Sequence, residues 1–256
     1  TAAISYMGFN PAQVGCDPKA DSVNTLVGGN FIPSISDNIQ KFGVSEETLL
    51  NSVYRGFNNV VVMEAGGPPP GQGCAGRGVL VALEYINKYR IFERFCVDFA
   101  VYDVLGDIVC GGFAQPIRQG YAEEIYIVTS AEYMALYAAN NIAQSIRNFS
   151  SQGIASKAAG IIHNKRNVDG EDALVEHFAK LLNIPIVGHI PRSDLVQRSE
   201  QQGKTVIEAF DDSTQAECYF RAAYNIIHNE EIVIPEFLDR STIIDLLGTY
   251  VKEYSY

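Results

Sequence analysis

Basic residues are scarce in this chain: 19 Lys and Arg against 30 Asp and Glu leave a net charge of −11 over 256 residues. That deficit argues against nucleic acid and against an anionic membrane as partners, and any macromolecular partner is expected to offer a basic face. Cysteine is sparse and odd in number, with Cys16, Cys74, Cys96, Cys110 and Cys218 the only five. No leading apolar segment and no apolar run long enough to span a bilayer accompanies them, so the usage reads as that of the reducing cytoplasm. Internal repeats, low-complexity tracts and dividing linkers are also missing. A GxxxxGK[ST] phosphate-loop motif is absent as well, since the GKT at residues 203–205 lacks the upstream glycine. What is present is ordinary globular material, 47% hydrophobic and 11% aromatic, enough for one large domain over residues 1–256.

Short β-branched runs recur between helical patterns: VVVM at 60–63, CVDFAVYDV at 96–104, EIYIVTS at 124–130, AAGIIH at 158–163 and IPIVGHI at 184–190. A weaker run, AQVGC at 12–16, follows Pro11. Helical periodicity covers 77–89, 131–149, 171–182, 214–229 and 241–254, with capping-box starts expected at Thr129 with Glu132 and at Thr214 with Glu217. Alternating strand and helix predicts an α/β fold, a doubly wound and mostly parallel sheet whose ligands gather at the carboxyl ends of the strands. AAISYMGF at 2–9 reads as a helix entered midway behind a non-initiator Thr1, so a preceding segment is expected.

Three motifs carry chemistry. GCDPKADS at 15–22 ends a strand in glycine and opens onto Asp17, Lys19 and Asp21, the pattern a nucleotide-hydrolysing α/β protein places beside phosphate and magnesium. VYDVLGDIVCGG at 101–112 ends a buried strand at Asp103 and continues with DxxG spacing. There the carboxylate can reach the water shell of magnesium and the Gly106 amide can sense a γ-phosphate. AGGPPPGQGCAGRG at 65–78 delivers Cys74 to the start of a helix, where amides lower a thiolate's pKa. Cys110, seven residues beyond Asp103, is likewise followed by glycines. Cys16, Cys96 and Cys218 sit inside strand or helix patterns and read as small buried hydrophobes. Two glycine-flanked cysteines per chain make half of a four-thiolate set, so a two-fold dimer with one shared 4Fe-4S cluster satisfies the count. Zinc on the same four sulfurs is the chemical alternative, and the adjacent nucleotide-switch motif favours the redox group.

GCDPKADS, GGPPPGQGCAGRG, YDVLGDIVCGGFAQPIR, AEEIYIVTS and MALYAANNI, in that order, resemble the nitrogenase iron protein family, whose members include nitrogenase-like reductases of tetrapyrrole synthesis. GCAGRG lies nearer the nitrogenase branch. The resemblance implies a P-loop NTPase-like fold whose first strand and GKGGIGKS-like phosphate loop would stand ahead of Thr1. It implies an intersubunit 4Fe-4S cluster on Cys74 and Cys110, MgATP, a first switch at Asp17, Lys19 and Asp21, and a second at Asp103 and Asp107. Asp107 would align the attacking water across the dimer. Arg77 matches an arginine that is ADP-ribosylated in some members or docks the partner. Adenine-side contacts would come from Asn164, Pro191 and Arg192, Gln197 and Glu200, and Gln215 and Tyr219. In IPRSD at 190–194 the acid comes one position later than in the family's PRD pattern. Partners implied are a second copy, a larger cluster-binding catalytic protein of dinitrogenase type and a ferredoxin or flavodoxin donor. Two rival readings predict other behaviour: a non-hydrolysing iron–sulfur carrier or regulatory paralogue, and a ParA- or MinD-like positioning ATPase without a cluster.

Overall fold

The β-branched runs become strands and the amphipathic stretches between them become helices, as burial of one face of each requires. The structure, a computed structural model, describes residues 1–67, 75–106 and 115–254. In chain order the elements are α1 (Ala2–Tyr6), β1 (Pro11–Gly15), α2 (Ile35–Phe42), α3 (Glu46–Leu50), β2 (Tyr54–Arg55), β3 (Val61–Glu64), α4 (Ala75–Lys88), α5 (Ile91–Arg94) and β4 (Phe99–Asp103). They continue with α6 (Gln115–Arg118), β5 (Glu124–Thr129), α7 (Tyr133–Ser151), β6 (Lys157–Asn164), α8 (Glu171–Leu182), β7 (Ile186–Ile190), α9 (Asp194–Gln201), α10 (Val206–Ala209), α11 (Thr214–Ile227) and α12 (Arg240–Tyr254). The chain forms two compact units, Thr1–Pro116 with Asp194–Ala216, and Ile117–Ser193 with Glu217–Tyr256.

The first unit holds a four-stranded sheet in the order β2-β3-β1-β4. Strand β1 pairs in parallel with both β3 and β4, and the short β2 is antiparallel to β3. Pro11 is tolerated because it is the first residue of β1, where its missing N–H interrupts little of the ladder. Val61, Val62 and Met63 of β3 are wholly buried, which is why this run shows no polar alternation. Ser34 caps α2, accepting from the Asp37 N–H at 3.1 Å while Asp37 accepts from the Ser34 amide.

The second unit holds the parallel sheet β5-β6-β7. Its core packs Ile127 and Ile161 of the sheet against Leu136 and Ile146 of α7 and Phe178 and Leu182 of α8. Burying such side chains stabilises a fold by roughly 1.5–3 kcal/mol each.

Three local expectations fail. Strand β4 starts at Phe99 rather than at Cys96, because Cys96 adopts a left-handed φ of 52° after α5 and is exposed, not a buried hydrophobe. Thr129 does not cap α7: it is the last residue of β5, its hydroxyl donates to the Ser130 carbonyl, and Glu132 is the N-cap with no side-chain hydrogen bond. Glu132 is instead held by Ser130 and by Arg166. At α11 the capping hydroxyl belongs to Ser213, which accepts from the Ala216 N–H at 3.1 Å. Among the described residues no helix is long and apolar enough to cross a membrane.

Candidate functional site

Parallel register sets Gly15, Glu64 and Asp103 side by side at the carboxyl ends of β1, β3 and β4. Backbone hydrogen bonds carry the alignment one residue further, from the Cys16 N–H to the Asp103 carbonyl at 2.9 Å and from the Ala65 N–H to the Gly15 carbonyl at 2.8 Å. Beyond Gly15 the chain turns sharply. Asp17 accepts from the Lys19 N–H at 3.0 Å and meets the Lys19 ammonium at 3.5 Å, and Ala20 takes a left-handed φ of 52°. The segment then folds back over the strand ends. The Ser22 hydroxyl donates to Asp103 Oδ2 at 2.6 Å, Gln13 Nε2 donates to the same hydroxyl at 2.9 Å, and the Val23 N–H donates to Glu64 Oε1 at 2.9 Å. Asp103 and Asp21 are exposed and Asp17 is half-buried, so the end of β4 and the loop after β1 both present carboxylates. Gly106 lies three residues on, with open space where a side chain would stand.

Glu64 was not expected. It is wholly buried, and its Oε2 has no hydrogen-bond partner. Burial, reinforced by Asp103 and Asp21 and opposed by the Val23 amide, pushes its carboxyl up to about 7. The available signal was a carboxylate ending the apolar run VVVM just before AGG. Cys16 beside it is buried, and burial with the Asp103 and Glu64 carboxylates pushes its thiol up to about 12, so it is a poor metal or cluster ligand. A pH dependence follows from Glu64. Between its unfolded value of 4.5 and its folded value of about 7, the unfolded chain has lost a proton that the folded protein keeps, so stability falls as pH rises. The full loss is about 3 kcal/mol, reached above pH ~7. In urea unfolding at about pH 4.5 and 7.5, Glu64→Gln should gain that amount relative to wild type at the higher pH; parallel wild-type and variant profiles would refute it.

Cys74, Asp107 and Cys110 lie outside the described residues. What borders Cys74 is described. The 14-residue helix α4 begins at Ala75, immediately after it, and Arg77 is exposed in the first turn. Gly66 and Gly67 lie against the first turns of α2 and α4: a Cβ on Gly66 would meet Ser34 Oγ at 2.2 Å, and one on Gly78 would meet Gly67 Cα at 2.9 Å.

In the second unit, register pairs Asn164 with Ile190, so that Asn164 at the end of β6 lies next to the chain leading into Pro191 and Arg192. The Arg192 carbonyl accepts from Asn167 Nδ2 at 3.3 Å. His163, one residue before Asn164, is fully buried, and burial holds its pKa below the ordinary imidazole value. Tyr219 belongs to this unit, half-buried on α11. Gln197 and Glu200 belong to the first unit, exposed on α9, as does Gln215, which is buried with its Nε2 lacking a partner.

The fold is that of P-loop NTPase-like proteins. The septum site-determining protein MinD complexed with Mg-ADP from Pyrococcus horikoshii OT3 superposes with a TM-score of 0.67 at 17% identity, over 89% of this chain and 87% of that one. A ParA family ATPase from Chlorobium tepidum gives 0.63 at 16%, over 88% of each. At such identities the likeness concerns fold alone. Sequence relatives are much nearer. The chain is 46% identical over 235 residues to nitrogenase iron protein 2 of Methanobacterium ivanovii, covering 92% of this chain and 86% of the relative. It is 40% identical over 253 residues to nitrogenase iron protein 2 of Paenibacillus durus, covering 99% and 86%. Residues 1–253 match the family model for 4Fe-4S iron sulfur cluster binding proteins of the NifH/frxC type, and the chain belongs to that family.

Proposed function

We propose that this chain is an ATP-dependent reductase of nitrogenase iron protein type, working as a single domain in each of two copies. Cys74 and Cys110 of both copies would hold one 4Fe-4S cluster, which when bound supplies a one-electron donor and acceptor. The donor set fits: two thiols per chain, one of them directly ahead of the N-terminus of α4, whose amides favour a thiolate. Electrons would enter from a ferredoxin or flavodoxin and leave, one at a time, to a larger catalytic protein of dinitrogenase type. Arg77, exposed beside Cys74 in sequence, would lie where that partner docks or where a modifying group blocks docking.

The observation that carries the reading is the placement of Asp103 at the end of β4, hydrogen-bonded by Ser22, which directly follows the Asp17–Asp21 loop, and seven residues ahead of Cys110. MgATP would be met by Asp17, Lys19, Asp21 and Asp103, with Gly106 as the γ-phosphate sensor and Asp107 orienting the attacking water. Adenine contacts are assigned to Asn164, Pro191, Arg192, Gln197, Glu200, Gln215 and Tyr219. A shift at Gly106 has only three residues in which to dissipate before Cys110, so nucleotide state and cluster exposure are coupled. The test is chelation of cluster iron by bipyridyl. MgATP should accelerate it about tenfold or more, MgADP should act differently, and Asp103→Ala should keep the cluster but lose the response. Chelation rates indifferent to nucleotide in the wild type would favour the non-hydrolysing carrier reading instead.

A further inference from the structure

The second unit holds a further cluster of ligating side chains, made of residues other than the cysteines and the carboxylate loop. His163 and His189 are register partners on the adjacent parallel strands β6 and β7, so their rings emerge on the same side of the sheet. Asp172 joins them from the first turn of α8. The His163 and His189 Nδ1 atoms are 3.3 Å apart, and Asp172 Oδ1 lies 3.4 Å from the first and 3.9 Å from the second. A point equidistant from these three atoms lies about 2.1 Å from each, within the roughly 2.0–2.2 Å of Zn–N and Zn–O bonds.

We propose that His163, His189 and Asp172 form a binding site for a borderline divalent transition-metal cation of the Zn2+ class. Two imidazoles and one carboxylate select such ions over Mg2+ and Ca2+, which take mainly oxygen. A buried atom left without a hydrogen bond gains a partner by this assignment. Asp172 Oδ1 is buried and unpartnered, while its other oxygen is held by the Lys165 ammonium at 2.7 Å, which aims Oδ1 at the two rings. His163 Nε2 is also buried and unpartnered. When a cation takes both Nδ1 lone pairs, each ring carries its proton on Nε2, and that of His163 then faces Glu171 Oε2, 4.0 Å away. Glu171 is held there by the Arg166 and Asn167 amides at 2.8 and 2.9 Å. At 4.0 Å the carboxylate acts on that proton through its charge rather than through a hydrogen bond, which favours the Nε2–H tautomer that leaves Nδ1 free for a cation.

Access is open. The side chains of His189 and Asp172 are 42% and 50% exposed, and Asp172 also lines a cleft of about 490 Å³ with Lys165, Asn167 and Asp169, so solvent reaches two of the three ligands. A bound cation would tie together the ends of β6 and β7, but its binding does not depend on the nucleotide reading above.

The experiment is equilibrium dialysis of the anaerobic, cluster-loaded full chain against micromolar Zn2+, with metal analysis and zinc X-ray absorption. One Zn2+ per chain is expected, with a nitrogen and oxygen shell near 2.0–2.1 Å and no sulfur near 2.3 Å. His189→Gln should weaken binding about 100-fold and Asp172→Asn about 10-fold, both with unchanged circular dichroism, while His177→Gln on the exposed face of α8 leaves it intact. No retained Zn2+, a sulfur-containing shell, or affinity indifferent to His189→Gln would overturn the assignment.

Discussion

Anaerobically reconstituted protein is expected to carry about four iron atoms per two chains, and Cys74→Ser or Cys110→Ser to carry almost none. Loss should be nearly complete rather than graded, because each substitution removes two of four ligands once the two-fold axis doubles it. Cys218→Ser is the control: Cys218 is a half-buried free thiol on α11 and should leave iron content and the visible absorption near 400 nm unchanged. Cys16 cannot stand in for a lost ligand, since its buried thiol ionises only at about 12. Iron and sulfide assays on the three variants decide the matter. A cluster that persists in both Cys74→Ser and Cys110→Ser would remove the basis for the proposed electron-transfer function.

The second large effect is expected at Gly15. A Cβ there would lie 1.8 Å from Glu64 Oε2 and 2.5 Å from Glu64 Cδ, far inside contact distance. Glu64 cannot swing away freely, because it is wholly buried and its other oxygen accepts from the Val23 amide. Gly15→Ala should therefore destabilise the protein by about 2–4 kcal/mol, the range of overpacking and a broken buried hydrogen bond together. The diagnostic is a double-mutant cycle. Truncation of the opposing side chain in Glu64→Ala makes room for the new methyl, so the double variant should recover at least about 1 kcal/mol against the sum of the singles. Urea unfolding of the four proteins measures this, and strict additivity would show that Gly15 is required for some other reason.

Much of this architecture was legible because burial writes itself into residue order. The runs at 60–63, 124–130, 158–163 and 184–190 became β3, β5, β6 and β7, and the 171–182 pattern matches α8 end to end. Even the weak run at 12–16 formed β1, since Pro11 costs a strand little at its first residue. The failures share one cause, a competition settled by neighbours outside the local pattern. Thr129 has the spacing of a cap, but its backbone belongs to the β5 ladder, and Glu132 is drawn to Arg166. Helix α2 is short and follows a loop, so its Ser34–Asp37 box is inconspicuous. Within the site, Asp103 and the Asp17–Asp21 loop stood out because carboxylates that end an apolar run are conspicuous, although the strand expected to be buried ahead of Asp103 has no buried residue. Glu64 did not, because a buried carboxylate is recognisable only once Gly15 and Val23 are seen to enclose it. The His163 and His189 pair was equally hidden, since 26 residues separate the two and only parallel register joins them.

A Cβ on Gly78 would also lie 3.1 Å from the Gly66 carbonyl oxygen, so the first turn of α4 rests backbone to backbone on the residues that follow β3. A single methyl at Gly78 would have to push those two backbones apart, and with them the end of β3 from the first turn of α4. The starting point of α4 is thus pinned, by the want of one carbon atom, to the strand end that carries Glu64 beside Gly15 and Asp103.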